Sequence, residues 1–164
     1  LAGFHKAGLL IGIFANKNVS EYLNFQMEMT YIQKGSNNAK MTDSSDPISE
    51  IEDISLSYVE VPLVLKYNQS NKLNIETGIL TGHLIDGYYN DLNGKISNVK
   101  NPFVNYDIGA LVGIDYKYSK NISLNTRLSN SILPIGKEDD LTCYNCYTKG
   151  KYNSVLSFSL NYNF

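Results

Sequence analysis

Hydrophobic and polar positions alternate with period two along most of this chain. Seven runs carry the pattern: His5 to Ala15, Glu21 to Gln33, Ser57 to Asn68, Lys72 to Leu84, Phe103 to Tyr118, Asn121 to Asn130 and Tyr152 to Phe164. Successive side chains of a strand point to opposite faces, so each run predicts a β-strand with one apolar and one polar face. In the second run Leu23, Phe25, Met27, Met29 and Tyr31 share one face, and Asn24, Gln26, Glu28 and Thr30 share the other. In the third, Val59, Val61, Leu63, Leu65 and Tyr67 oppose Tyr58, Glu60 and Lys66. The fifth sets Val104, Tyr106, Ile108, Val112, Ile114 and Tyr116 against Asn105, Asp107, Asp115 and Lys117.

The runs are long for a soluble protein and meet the roughly 9 to 11 residues that a tilted membrane-crossing strand needs. Their connectors alternate in size. Asn16 to Ser20, Gln69 to Asn71 and Ser119 to Lys120 are short, whereas Lys34 to Leu56, Ile85 to Pro102 and Ser131 to Lys151 are long. Short periplasmic turns alternating with long extracellular loops are the habit of outer-membrane barrels. The pattern therefore predicts an all-β, antiparallel up-and-down transmembrane barrel, with the C-terminus periplasmic and the long loops extracellular.

Alternation alone describes a soluble lipocalin-like barrel equally well, with its faces reversed. Glycine gives the direction. Gly8, Gly12, Gly78, Gly82, Gly109 and Gly113 all share the face that carries the charges. A narrow barrel interior needs small residues beside large ones, while glycine on a solvated strand surface only weakens the strand. The polar face is thus read as the inside. Tyr67, Tyr116, Tyr118, Tyr162 and Phe164 then fall at the periplasmic strand ends, where amphipathic rings suit the headgroup region, and Tyr31 and Phe103 at the opposite rim.

That direction sends Lys6, Glu28, Glu60, Lys66, Glu76, Asp107, Asp115, Lys117 and Arg127 into the lumen as a charge network. Charges there must pair or stay wet. Arg127 suits bidentate binding of a carboxylate, with Glu28, Glu60, Glu76 and Asp107 as candidates. The network reads either as a conduction path or as a plug of salt bridges that fills the barrel, and the plug is the favoured reading.

Composition narrows the classes. The 164 residues are 43% hydrophobic and 18% charged, enough for one domain, read here as a single barrel spanning residues 1 to 164. A net charge of -2 without a basic run offers nothing to nucleic acid. No apolar run approaches the roughly 20 residues of a membrane helix. The mean hydropathy of -0.23 does not argue against a barrel, because only alternate residues of its strands meet lipid. Leu1 is not a start methionine and no signal-peptide pattern precedes the first strand, so the chain reads as mature or truncated.

Three further constellations have chemical potential. His5 and His83 lie near one rim, where small outer-membrane barrels place catalytic histidines, but no GxSxG elbow or spaced acid-base pair accompanies them. Cys143 and Cys146 in CYNC read as a loop disulfide, since zinc usually needs four ligands and a redox motif needs a following helix. Asp43, Asp46, Glu50, Glu52 and Asp53 lack the spacing of a calcium loop and read as a solvated acidic loop. No metal or cofactor is expected.

Taken in order, GFHKAGLLIGIFA, MEMTYIQKG, SYVEVPLVLKY, LNIETGILTG, YDIGALVGIDY and LSFSLNYNF make the chain resemble the PorT-like outer-membrane β-barrel proteins of Bacteroidota. The resemblance runs nearly end to end. It implies an eight-stranded barrel in a group whose namesake is associated with type IX protein secretion. Members usually carry one more strand ahead of the GFH-type segment. An odd number of antiparallel strands does not close, so a strand upstream of Leu1 is expected. Another chain supplying it, or an eighth strand hidden in Tyr88 to Val99, are the alternatives.

The last run ends in an outward stripe, Leu156, Phe158, Leu160, Tyr162 and Phe164. Resemblance to outer-membrane proteins implies that Phe158, Leu160, Tyr162 and Phe164 serve as an insertion signal. The sequence therefore reads as a non-enzymatic outer-membrane barrel, a structural or accessory part of an envelope assembly such as type IX secretion or outer-membrane protein biogenesis. Its expected partners are outer-membrane lipid and other envelope proteins. A narrow passive pore is the first alternative, and an enzyme using a rim histidine the second.

Overall fold

The computed structural model describes residues 6–37, 53–91, 94–97, 104–135 and 152–164. They form β1 (Leu10–Asn18), β2 (Leu23–Asn37), β3 (Asp53–Asn68), β4 (Leu73–Asp91), β5 (Gly94–Ser97), β6 (Tyr106–Lys117), β7 (Ile122–Ser131) and β8 (Ser154–Tyr162). All ladders are antiparallel and the order is β1-β2-β3-β4-β6-β7-β8, with β5 paired to β4 alone. Seven long strands thus make one curled sheet, each beside its neighbour in the chain.

Several limits differ from those the pattern predicts. β1 starts at Leu10 rather than His5, and β2 runs past Gln33 to Asn37. β4 continues through its predicted end at Leu84 to Asp91, then pairs with β5 as a small hairpin. The segment Tyr88 to Val99 therefore holds a strand, but one that extends β4 beyond the wall rather than closing it.

One device builds all three short turns. Ser20 Oγ accepts the backbone N–H groups of Tyr22 and Leu23 at 3.3 and 3.2 Å. Ser70 Oγ accepts those of Lys72 and Leu73, and Ser119 Oγ those of Asn121 and Ile122. In each case the serine N–H and the N–H before it both reach the carbonyl of the first residue of the next strand, at 2.9 to 3.1 Å. A serine hydroxyl that satisfies two turn amides fixes a tight reversal without glycine. These reversals define the turn end of the sheet, and the long connectors the loop end.

Pro62 lies in the middle of a central strand, where a missing N–H normally breaks a ladder. The ladder to β4 runs unbroken through Pro62 and Leu80. On the other side the pairing to β2 skips from Met27–Leu63 to Thr30–Glu60, so the lost donor falls there. A register shift at Ser57/Tyr58 leaves Ile85 as the extra residue of a β-bulge in β4.

The faces sort as the period-two pattern and the glycines predict. Ile13 and Phe158 are 73% and 71% exposed on the outer surface, while Glu76 and Asp107 inside are 1% exposed. Fully buried acids beside exposed large hydrophobics invert the rule for a soluble protein. A barrel surrounded by hydrocarbon requires that inversion.

Candidate functional site: a charge-filled lumen

Even-numbered positions of β2, β3 and β4 and odd-numbered positions of β6 and β7 face inward, and they carry the charges in two tiers. The tier nearer the turn end centres on Arg127 of β7. Its Nη1 and Nη2 donate to the two carboxylate oxygens of Glu28 on β2 at 3.0 and 2.8 Å. Its Nε donates to Glu76 Oε1 on β4 at 2.7 Å. The planar guanidinium thus uses its forked face on one acid and its remaining edge on another. Lys66 stands 3.7 Å from both Glu76 and Asp115.

The second tier lies nearer the loop end. Lys34 Nζ is 2.5 Å from Glu60 and 3.0 Å from Asp107, all three buried. Its ammonium also sits 4.9 Å from the centre of the Tyr58 ring, a cation–π distance.

These eight groups comprise five carboxylates and three cations, and neutral donors supplement the cations at three of the acids. Gln26 donates to Glu28 at 2.8 Å, Asn153 to Asp107 at 2.7 Å, and Asn74 and Ser123 to Asp115 at 3.0 and 2.8 Å. Such hydrogen bonds are what make a low-dielectric cluster of acids tolerable.

Apolar side chains separate and cap the tiers. Val64, Leu80 and Leu111 form a buried cluster between them. Ile32, Leu56, Tyr58 and Ile135 form another towards the loop end, with Leu10, Leu84 and Val155 packed against it. Lys34 starts level with Leu56 of that cap and runs its stem back past Tyr58 to reach the acids. At the turn end a cavity of about 200 Å³ is lined by Asn16, Asn24, Asn74, Asn161, Asn163 and Lys117 among others.

Gly113 makes the Arg127 tier possible. It pairs with Arg127 across the β6–β7 ladder, and a Cβ there would stand 2.6 Å from Glu76 Oε1 and 2.7 Å from the Thr126 carbonyl. Any side chain would push Glu76 off its partner.

Of the predicted lumen residues, Glu28, Glu60, Lys66, Glu76, Asp107, Asp115 and Arg127 belong to the two tiers. Lys117 lines the turn-end cavity instead, and Lys6 lies half-buried ahead of β1. Lys34 is the residue that sequence reasoning missed. Lys-Gly after Gln33 reads as the start of a loop, yet Lys34 continues the inward series of Gln26, Glu28, Thr30 and Ile32. Phe158, Leu160, Tyr162 and Phe164 all lie exposed on the outer surface, with the last two rings edge-on at 5.1 Å.

His83 is exposed on the outer face, its ring 5.0 Å from that of Tyr106. His5, the acidic stretch from Asp43 to Glu52, and Cys143 and Cys146 lie outside the described residues.

Comparison with known proteins identifies a family. The family model for the outer membrane protein beta-barrel domain covers residues 3–135, all of the long strands except β8. No protein of curated function and no solved structure matches the chain.

Proposed function

The chain belongs to the outer membrane protein beta-barrel domain family, and from that premise we propose that it is a non-conducting, non-enzymatic barrel serving as a structural or accessory component of the bacterial envelope. One observation carries the reading: buried ion pairs and apolar side chains cross the lumen between opposite walls. Arg127 spans from β7 to β2 and Lys34 from β2 to β6, each through buried ion pairs. Two apolar clusters, around Leu80 and around Tyr58, offer a permeating ion nothing to replace its water.

In this reading the turn end, with Phe164, is periplasmic and the long connectors are extracellular. The outward aromatic stripe of β8 is what the insertion machinery engages. The likeness to PorT-like proteins in GFHKAGLLIGIFA and SYVEVPLVLKY supports a place in type IX secretion or in outer-membrane protein biogenesis. The exposed outer face supplies lipid contact, and the loops supply surfaces for other envelope proteins.

Single-channel recording in planar bilayers tests the proposal. Purified protein is expected to give no steps above bare lipid, and reproducible steps would overturn the plug in favour of a narrow pore. Mild detergent extraction after cross-linking is expected to bring down other envelope proteins. Recovery of this chain alone would count against the accessory role.

A further inference from the structure

The turn-end cavity differs from the two tiers in what lines it. Carboxamides dominate, with Asn16, Asn18, Asn24, Asn74, Asn161 and Asn163 around about 200 Å³ of space. Asn18, Ser119 and Lys120 on its rim are exposed, so the space reaches the surface at the tight turns. Past Lys66 and Gly113 the next inward positions are Val64 and Leu111 of the apolar cluster, and there the polar lining ends.

The groups at the bottom of this well are unevenly matched. Lys66 is 6% exposed, and its ammonium stands 3.7 Å from Glu76 Oε2 and from Asp115 Oδ1, beyond hydrogen-bond length. Asp115 is already served by Asn74 Nδ2 and Ser123 Oγ. Three buried oxygens are not: Asn24 Oδ1, Asn74 Oδ1 and Glu76 Oε2 have no hydrogen-bond partner among the described residues. Asn24 and Glu76 are the cross-strand neighbours of Lys66 on β2 and β4, and Asn74 is the next inward residue from Glu76. A donor of three protons is thus flanked by oxygens that take none of them. A buried polar atom without a partner is costly, and a ligand that supplies the partner recovers the loss.

We propose that this well binds one sugar unit, the end of a saccharide chain, through Lys66, Asn24 and Asn74. A hydroxyl accepts one hydrogen bond while it donates another, which is what an ammonium beside a carboxamide oxygen asks of a ligand. A free ion of either sign gains little, because Glu76 and Asp115 offset Lys66 and Lys117, and Lys120 stands out on the turn. An extended peptide needs a long cleft, whereas this space equals about seven waters at roughly 30 Å³ each and stops at the apolar cluster. Phe14, half-buried on β1, lends an aromatic wall to the C–H face of a ring. The three binding residues lie on β2, β3 and β4, strands paired on both sides, so the sheet itself holds them in place.

Proton–nitrogen correlation NMR reads the asparagine side-chain amides directly and tests the assignment. The full-length protein, in micelles of a detergent without a sugar headgroup, is titrated separately with glucose trimer, N-acetylglucosamine trimer, triglycine and inorganic phosphate. Each is taken to about 50 mM, past the millimolar affinity of a small ligand held by a few hydrogen bonds. The Asn24 and Asn74 side-chain signals are expected to move saturably with at least one of the two saccharides and to stay in place with triglycine and phosphate. Asn24→Ala takes away an unpaired oxygen and a 3.3 Å bond to Asn68 but no charge. It is expected to weaken binding of that saccharide about tenfold, the worth of one hydrogen bond, while His83→Ala on the outer face leaves it unchanged. The titration of the unaltered protein stands whether or not Asn24→Ala folds. No movement with either saccharide, or saturable movement with triglycine or phosphate, would overturn the assignment. So would a folded Asn24→Ala protein that binds the saccharide as tightly as before.

Discussion

Arg127 holds β7 to β2 and β4 at once, and replacing it with methionine is the sharpest test of the lumen. Arg127→Met removes three charge-assisted hydrogen bonds and leaves Glu28 and Glu76, 9% and 1% exposed, facing each other without their cation. At roughly 1.5 to 3 kcal/mol per bond the loss in a dry site approaches 5 to 9 kcal/mol. The groove of about 700 Å³ beside Arg127 has room for water, and Lys66 remains near Glu76. The expected cost therefore falls to about 3 to 5 kcal/mol, the range for breaking a buried ion pair. That is two to three and a half decades in the unfolding equilibrium. Urea unfolding in lipid vesicles, followed by circular dichroism and by the gel mobility of unheated samples, measures it. Combining Arg127→Met with Glu28→Gln and Glu76→Gln removes the stranded charges and is expected to recover most of the loss. A cost below about 1 kcal/mol, the level of an exposed salt bridge, or a triple variant no more stable than the single one, would refute the account.

Three further outcomes follow from the same geometry. Gly113→Ala is expected to cost about 1 to 3 kcal/mol in the same unfolding assay, because its Cβ meets a carboxylate and a backbone carbonyl. Gly82→Ala, whose nearest neighbour is the flexible Glu60 side chain at 3.2 Å, should cost less. Phe158→Arg on the outer face is expected to lower stability in vesicles by about 2 to 4 kcal/mol if it lies near the bilayer midplane. An unchanged urea midpoint would argue that this face does not meet lipid. Ser20→Ala, Ser70→Ala and Ser119→Ala each remove an acceptor of two turn amides, and each should cost about 0.5 to 1.5 kcal/mol. Additivity of the three is expected, since the turns share no partners.

Period two made the strands and their faces legible, because the side-chain alternation that hydrocarbon and lumen impose is written residue by residue. Glycine gave the direction for the same local reason. The pairing inside the lumen was not legible. Arg127 is 99 residues from Glu28, and which of four candidate acids it meets depends on how the sheet curls. Lys34 was hidden by a lysine-glycine pair that resembles a turn yet continues a strand. The hairpin of β4 with β5 was hidden by asparagine, aspartate and glycine, residues that disfavour strands unless a neighbour pairs with them. Pro62 posed the opposite risk, a residue that argues against a central strand, and the alternation around it proved the better guide.

The serine-capped turns also bear on the order in which the wall assembles. Four residues separate β1 from β2, and as few separate β3 from β4 and β6 from β7, so three hairpins can zip from their turns on the microsecond scale without waiting for one another. No such turn delivers β8. Twenty-two residues lie between Ser131 and Ser154, and closing that span rather than a four-residue one costs about 1.5 kcal/mol more in chain entropy. β8 is then the one long strand among the described residues that no tight turn delivers to a neighbour. Its outer stripe of Leu156, Phe158, Leu160 and Tyr162 has to be brought to β7 across the longest connector in the wall.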